Sequence, residues 1–213
     1  MKFVRFRYLQ GTYCGLLHDD QVEIWTHAPW DDGETLDDVI SVNDIELLAP
    51  CLPGKVIAIA INYPGATGLT EKTNEPLVFI KPSSSVIGPE ETIVSPFNDV
   101  PVWGECELGI VIGKRASSIK AKLAYDHIFG YVNFIDVSAR GVDPNDSSSF
   151  FWQKSWDTFA PMGPAIVTAD EVSDPQDLAI KLWVSGDLRQ DLSTSDMGRS
   201  VAEVVEFVTW VTT

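Results

Sequence analysis

The chain has 213 residues, 45% of them apolar and 22% charged. That balance builds one substantial core, alone or with a small satellite, and excludes a disordered chain. The net charge of −16 at pH 7 repels nucleic-acid backbones and anionic membrane surfaces, so no nucleic-acid or membrane partner is expected. No apolar run approaches the ~20 residues of a membrane span. The opening stretch, Met1 to Arg7, alternates charge with apolar residues and lacks a secretory core, so a cytoplasmic protein is expected. Cys14, Cys51 and Cys106 form no Cys-x-x-Cys pair and read as buried free thiols. The three histidines, His18, His27 and His127, are scattered and read as surface or cap residues.

In chain order, Val4, Phe6 and Tyr8 alternate with Arg5 and Arg7, the period of a half-buried strand. Gln10-Gly11 predicts a turn, residues 12–17 a second strand, and residues 22–25 a third. The polar stretch from Asp31 to Asp38 predicts a short helix or loop. Pro50, Pro53 and Gly54 punctuate a junction, so residues 1–52 read as a small β-rich domain and residues 53–213 as the main domain. There, strands are expected at 55–61, 77–80, 92–94, 105–112, 130–137, 165–168 and 179–184. Helices are expected over about 121–127 and from Ser200, where Ser200 and Glu203 have capping-box spacing. Val201, Val204, Val205, Val208 and Val211 form the apolar stripe of that last helix. It reaches Thr212-Thr213 with no Gly, Asn or Pro to close it, which predicts a domain that is incomplete at its C-terminus.

The sharpest local feature is Trp103-Gly104-Glu105-Cys106-Glu107-Leu108. On a strand, residues i and i+2 share a face, so Glu105 and Glu107 point together while Cys106 and Leu108 face the other way. Two adjacent carboxylates repel unless one is protonated or a cation lies between them. Oxygen ligands of this kind suit Mg²⁺, Mn²⁺ or Ca²⁺; a solvated strand face with two unpaired acids is the alternative. Asp136 closes another apolar strand and needs a partner if buried. Arg140 or a metal ion could be that partner. No dinucleotide fingerprint, phosphate-binding loop or nucleophile elbow is present.

Six ordered segments resemble the fumarylacetoacetate hydrolase family: Pro53-Gly54-Lys55-Val56 leading to Asn62-Tyr63; Pro76 to Pro82 with Val86-Ile87-Gly88-Pro89; the Glu105-x-Glu107-Leu108 strand ending Gly113-Lys114; Gly130-Tyr131 through Asp136 to Arg140; Gln153-Lys154-Ser155-Trp156 through Pro164; and Arg189-Gln190-Asp191 with Thr194-Ser195-Asp196-Met197. Within that family the chain resembles the small-domain, 2-hydroxyhepta-2,4-diene-1,7-dioate isomerase-like branch. The resemblance implies a β-rich α+β fold, a mixed β-sandwich or roll with a small N-terminal β domain, and a homodimer. It also implies Mg²⁺ (or Mn²⁺, with Ca²⁺ as a further option) held by Glu105, Glu107 and Asp136.

The implied chemistry is hydrolytic C–C cleavage, decarboxylation or tautomerisation of a small keto or enol carboxylic acid through a metal-stabilised enolate. Lys154 matches the family's active-site lysine, and Asn62, Tyr63, Lys81 and Gln153 are implied substrate contacts. The family usually places a histidine shortly after the Tyr63 position. Here Ala66 stands there, and Glu71 is the substitute base. The family's closing Gly-Thr-rich segment is also missing. Both departures leave open an alternative: a catalytically inactive member kept for binding or assembly.

Overall fold

The computed structural model describes residues 1–64, 75–142 and 149–213. Strands β1 (Lys2–Tyr8), β2 (Gly11–His18), β3 (Gln21–Trp25), β4 (Thr35–Ser41) and β5 (Glu46–Leu48) form the N-terminal part. The rest of the chain adds β6 (Val56–Ala60), β7 (Leu77–Lys81), β8 (Val86–Ile87), β9 (Val102–Ile112), β10 (Ile128–Ala139), β11 (Ala160–Pro161), β12 (Ile166–Thr168), β13 (Ala179–Val184) and β14 (Asp187–Ser193). Its helices are α1 (Phe150–Lys154) and α2 (Val201–Val211).

One antiparallel sheet of eight strands runs β4-β3-β2-β1-β12-β10-β9, with β5 also on β1. β6 pairs with β7, β13 with β14, and β8 lies parallel to β11. The chain is thus the strand-rich α+β fold that the family resemblance implied. The alternation in β1 does what its period requires: Val4 and Phe6 are fully buried with Val22 and Ile24, while Arg7 is exposed. Phe3, on the opposite face, packs with Leu16 and with Val132, Phe134, Met162 and Ile166. The large sheet and this core therefore cross the junction near residues 52–53. Gly130 is where β12 closes on β10, since a Cβ there would lie 2.2 Å from the Val167 carbonyl oxygen.

Several elements differ from expectation. Residues 35–41 form a strand with five exposed positions, where the polar composition predicts a helix or loop. Residues 92–94 form no strand; the Val94 N–H donates to Thr158 Oγ1 at 2.9 Å. Ala121–His127 is a 3-10 helix. The capping box at Ser200 and Glu203 is formed. The buried face of α2, however, is Val201, Val205 and Thr209, and Val211 is exposed.

Candidate active site

Strands β9 and β10 pair with Glu105 opposite Asp136 and Glu107 opposite Phe134. Directly opposed residues of an antiparallel pair share a face, as do residues two apart on one strand. Glu105, Glu107 and Asp136 therefore occupy one face of the sheet's β9 edge. Leu108 points the other way, into the cluster under α2.

Asp136 is 1% exposed and its cations come from two distant elements. Lys81, the last residue of β7 and fully buried, places Nζ 2.6 Å from Asp136 Oδ1 and 3.1 Å from the Val137 carbonyl oxygen. Lys154, the last residue of α1, is also buried. Its ammonium bonds Asp136 Oδ2 and reaches Glu105 Oε2 at 3.1 Å. It lies 5.0 Å from the Phe79 ring centroid, a cation–π distance. Arg140, the sequence-based candidate partner of Asp136, instead stacks over Trp103 at 5.3 Å.

Electrostatics separate these groups. Burial pushes the Glu107 carboxyl up to about 8, and the negative charges of Asp136 and Glu105 add to it against the pull of Lys154 and Lys81. No hydrogen bond or ion pair reaches Glu107 among the described residues. Burial works against the Lys154 ammonium, but the Asp136 and Glu105 carboxylates outweigh it and its pKa is raised. Burial prevails at Lys81, whose pKa falls despite Asp136.

Tyr63 lies close enough to Glu107 to feel its charge, and Asn62 precedes it in the chain. The Asn62 amide is committed to backbone: Nδ2 donates to the Arg199 carbonyl at 3.0 Å and Oδ1 accepts from the Arg199 N–H at 2.9 Å. The Gly198 N–H donates to the Asn62 carbonyl oxygen at 2.6 Å. Ile61, just before, has φ 59°, a costly left-handed conformation for a β-branched side chain. The buried Tyr63 hydroxyl finds no hydrogen-bond partner among the described residues. Burial, then the charges of Glu107 and Asp196, push it up to about 12, so it stays a neutral donor. Gln153 lies partly buried in α1, beside Lys154. Glu71 and Ala66 lie outside the described residues.

Among the described residues no three acidic, His or Cys side chains converge into a ready-made ligand set. The Lys154 ammonium stands between Glu105 and Asp136, bonded to both. The donors nevertheless fit a hard divalent cation: three carboxylates share one face, and Glu107 makes no direct ion pair among the described residues while Lys154 and Lys81 bond Asp136. The Tyr63 hydroxyl, buried and unpaired, is a polar atom left for a bound molecule.

Residues 55–213 match the family described as fumarylacetoacetate hydrolase C-terminal, and residues 1–50 match the Rv2993c-like N-terminal family. A mitochondrial oxaloacetate tautomerase of Xenopus laevis is 40% identical over 75% of this chain; the chain spans about half of that relative, 51% of its length. A 5-carboxymethyl-2-hydroxymuconate delta-isomerase from Mycobacterium smegmatis is 32% identical, with TM-score 0.88 over 99% of this chain and 83% of its own. A maleylpyruvate hydrolase from Sphingobium sp. SYK-6, solved with manganese(II) and pyruvate, is 28% identical, with TM-score 0.81 over 100% of this chain and 84% of its own. Together these give the inactive-member alternative no support.

Proposed function

The chain belongs to the fumarylacetoacetate hydrolase family, and from that premise we propose that it is a divalent-metal-dependent enzyme that tautomerises a small oxo acid of the oxaloacetate type. Glu105, Glu107 and Asp136 would hold Mg²⁺ or Mn²⁺. The observation that carries this reading is Glu107, partly buried beside two other carboxylates on one sheet face and, among the described residues, bonded to no cation. A metal ion there supplies Lewis acidity toward the substrate's carboxylate and adjacent oxo oxygen.

The protein's own groups do the rest. Lys81, bonded to both Asp136 and the Val137 carbonyl, holds that carboxylate in one orientation. Lys154 stays an ammonium at neutral pH and offers its protons to negative charge developing on the oxo oxygen. Tyr63 offers a neutral hydroxyl near Glu107. The proton that leaves the substrate carbon has Glu71 as its acceptor in this proposal. Tautomerisation moves a proton between carbon and oxygen and consumes no water, so it needs no histidine to activate one. His18 lies on β2, exposed and 3.8 Å from Glu23, and His127 ends the 3-10 helix before β10. The oxaloacetate tautomerase relatives support the same choice over hydrolysis.

The test follows the enol absorbance of oxaloacetate with Mg²⁺ or Mn²⁺ present. Equilibration should be faster with protein and should return to the uncatalysed rate after chelation or in Glu107→Gln. Equilibration at the protein-free rate, or catalysis that survives chelation, would overturn the proposal.

A further inference from the structure

Among the described residues, strand β9 is the outer edge of the large sheet, with β10 as its one ladder partner. Such an edge leaves backbone N–H and C=O groups facing outward. At Cys106, between Glu105 and Glu107, those groups are not left to water. Gln190 of β14 accepts the Cys106 N–H on Oε1 at 2.8 Å and donates from Nε2 to the Cys106 carbonyl oxygen at 2.7 Å. One side-chain carboxamide thus reproduces both bonds that a neighbouring strand would make.

We infer that Gln190 is a positioning residue: it pins the β9 backbone between Glu105 and Glu107 and so sets the spacing of the two carboxylates. The inference rests on the reading of those acids as metal ligands. Its physical ground is geometric: among the described residues β9 has a ladder partner on one side, and the Cys106 backbone that Gln190 clamps is the link that carries the separation of Glu105 from Glu107. An apolar hairpin packed on β9 would cover the edge without selecting a register. A two-point amide contact fits the N–H and C=O of one residue only, so it also fixes which residue lies midway between the ligands. Outer partners of this kind commonly alter metal affinity about 10- to 100-fold when removed.

The experiment uses the full chain, stripped of metal and free of substrate. Mn²⁺ affinity is measured by calorimetry for wild type, Glu107→Gln, Gln190→Ala and Gln190→Met, the last keeping side-chain bulk without the amide. Arg189→Ala serves as a control on the same strand, since that exposed guanidinium contacts Asp187. Gln190→Ala and Gln190→Met should each weaken Mn²⁺ binding about 10-fold or more, with the melting temperature near that of wild type and Arg189→Ala unchanged. Affinity retained in Gln190→Met, or an equal loss in Arg189→Ala, would overturn the inference while leaving the metal site intact. Wild type that binds no Mn²⁺ would remove the parent reading and this inference with it. Amide hydrogen exchange in wild type needs no variant to fold: the Cys106 N–H should be protected despite its edge position, and fast exchange there would contradict the clamp.

Discussion

The large sheet has two ends built on opposite terms. At the β1–β4 end, apolar side chains alternate inward and the charges stay in water; Arg7 pairs with Glu46 at 2.6 Å while both side chains are more than half exposed. At the β9–β10 end the charges themselves are inside: the Lys81 and Asp136 side chains are 0% and 2% exposed. Burying an ion is repaid only by close, well-hydrogen-bonded partners. The two ends therefore divide the labour, one stabilising the fold and the other holding charge where a reaction can use it.

The largest contrast should come from removing one cation at each end. Lys81→Met leaves Asp136 buried with half its compensation and should cost about 3–5 kcal/mol. Arg7→Met should cost about 1 kcal/mol or less, as exposed pairs do. Urea denaturation measures both, and equal losses would erase the distinction between the two ends.

A pH series sharpens the comparison at Glu107. Its carboxyl titrates near 8 in the folded chain against 4.5 as the ordinary value, so between those limits the folded state keeps a proton that the unfolded state has released. The contribution of Glu107 to the stability of the metal-free protein should therefore be fully present below about pH 4.5 and be lost as pH rises through 8, by an amount on the order of a few kcal/mol. Glu107→Gln should remove most of that fall and be the more stable form at pH 9 without metal. Wild-type and variant curves that run parallel over this range would contradict the burial of an uncompensated carboxylate. The smallest effect belongs to the Ser200→Ala variant of the α2 capping box, about 1 kcal/mol in stability with metal affinity unchanged.

What the sequence made legible follows the same division. Alternation in β1, the Glu105–Glu107 pair on one strand face and the Ser200–Glu203 box are local patterns, and each is present as read. Strand β4 escaped because an edge strand with five exposed positions, including Asp37 and Asp38, shows no period-two burial signal. Residues 92–94 misled because a β-branched triplet, Thr92-Ile93-Val94, mimics a strand where the chain lies exposed. Asp136 demanded a partner, but proximity in sequence pointed to Arg140, while the folded chain delivers Lys81 and Lys154 from 55 and 18 residues away. Gln190 lay within a recognised segment, yet no residue pattern announces a side-chain amide closing a sheet edge 84 residues earlier. Local periodicity is written in neighbours; charge compensation is settled by contacts between distant strands.

Glu105, Glu107 and Asp136, as proposed, form one divalent-cation site. Calorimetric titration of Mn²⁺ into metal-stripped protein at pH 7, repeated in buffers of different ionisation enthalpy, tests this. Because Glu107 is largely protonated at that pH and a carboxylate must lose its proton to bind metal, binding should release close to one proton in wild type and should be lost in Glu107→Gln. Binding with no proton release that survives Glu107→Gln would place the ion elsewhere and contradict the account.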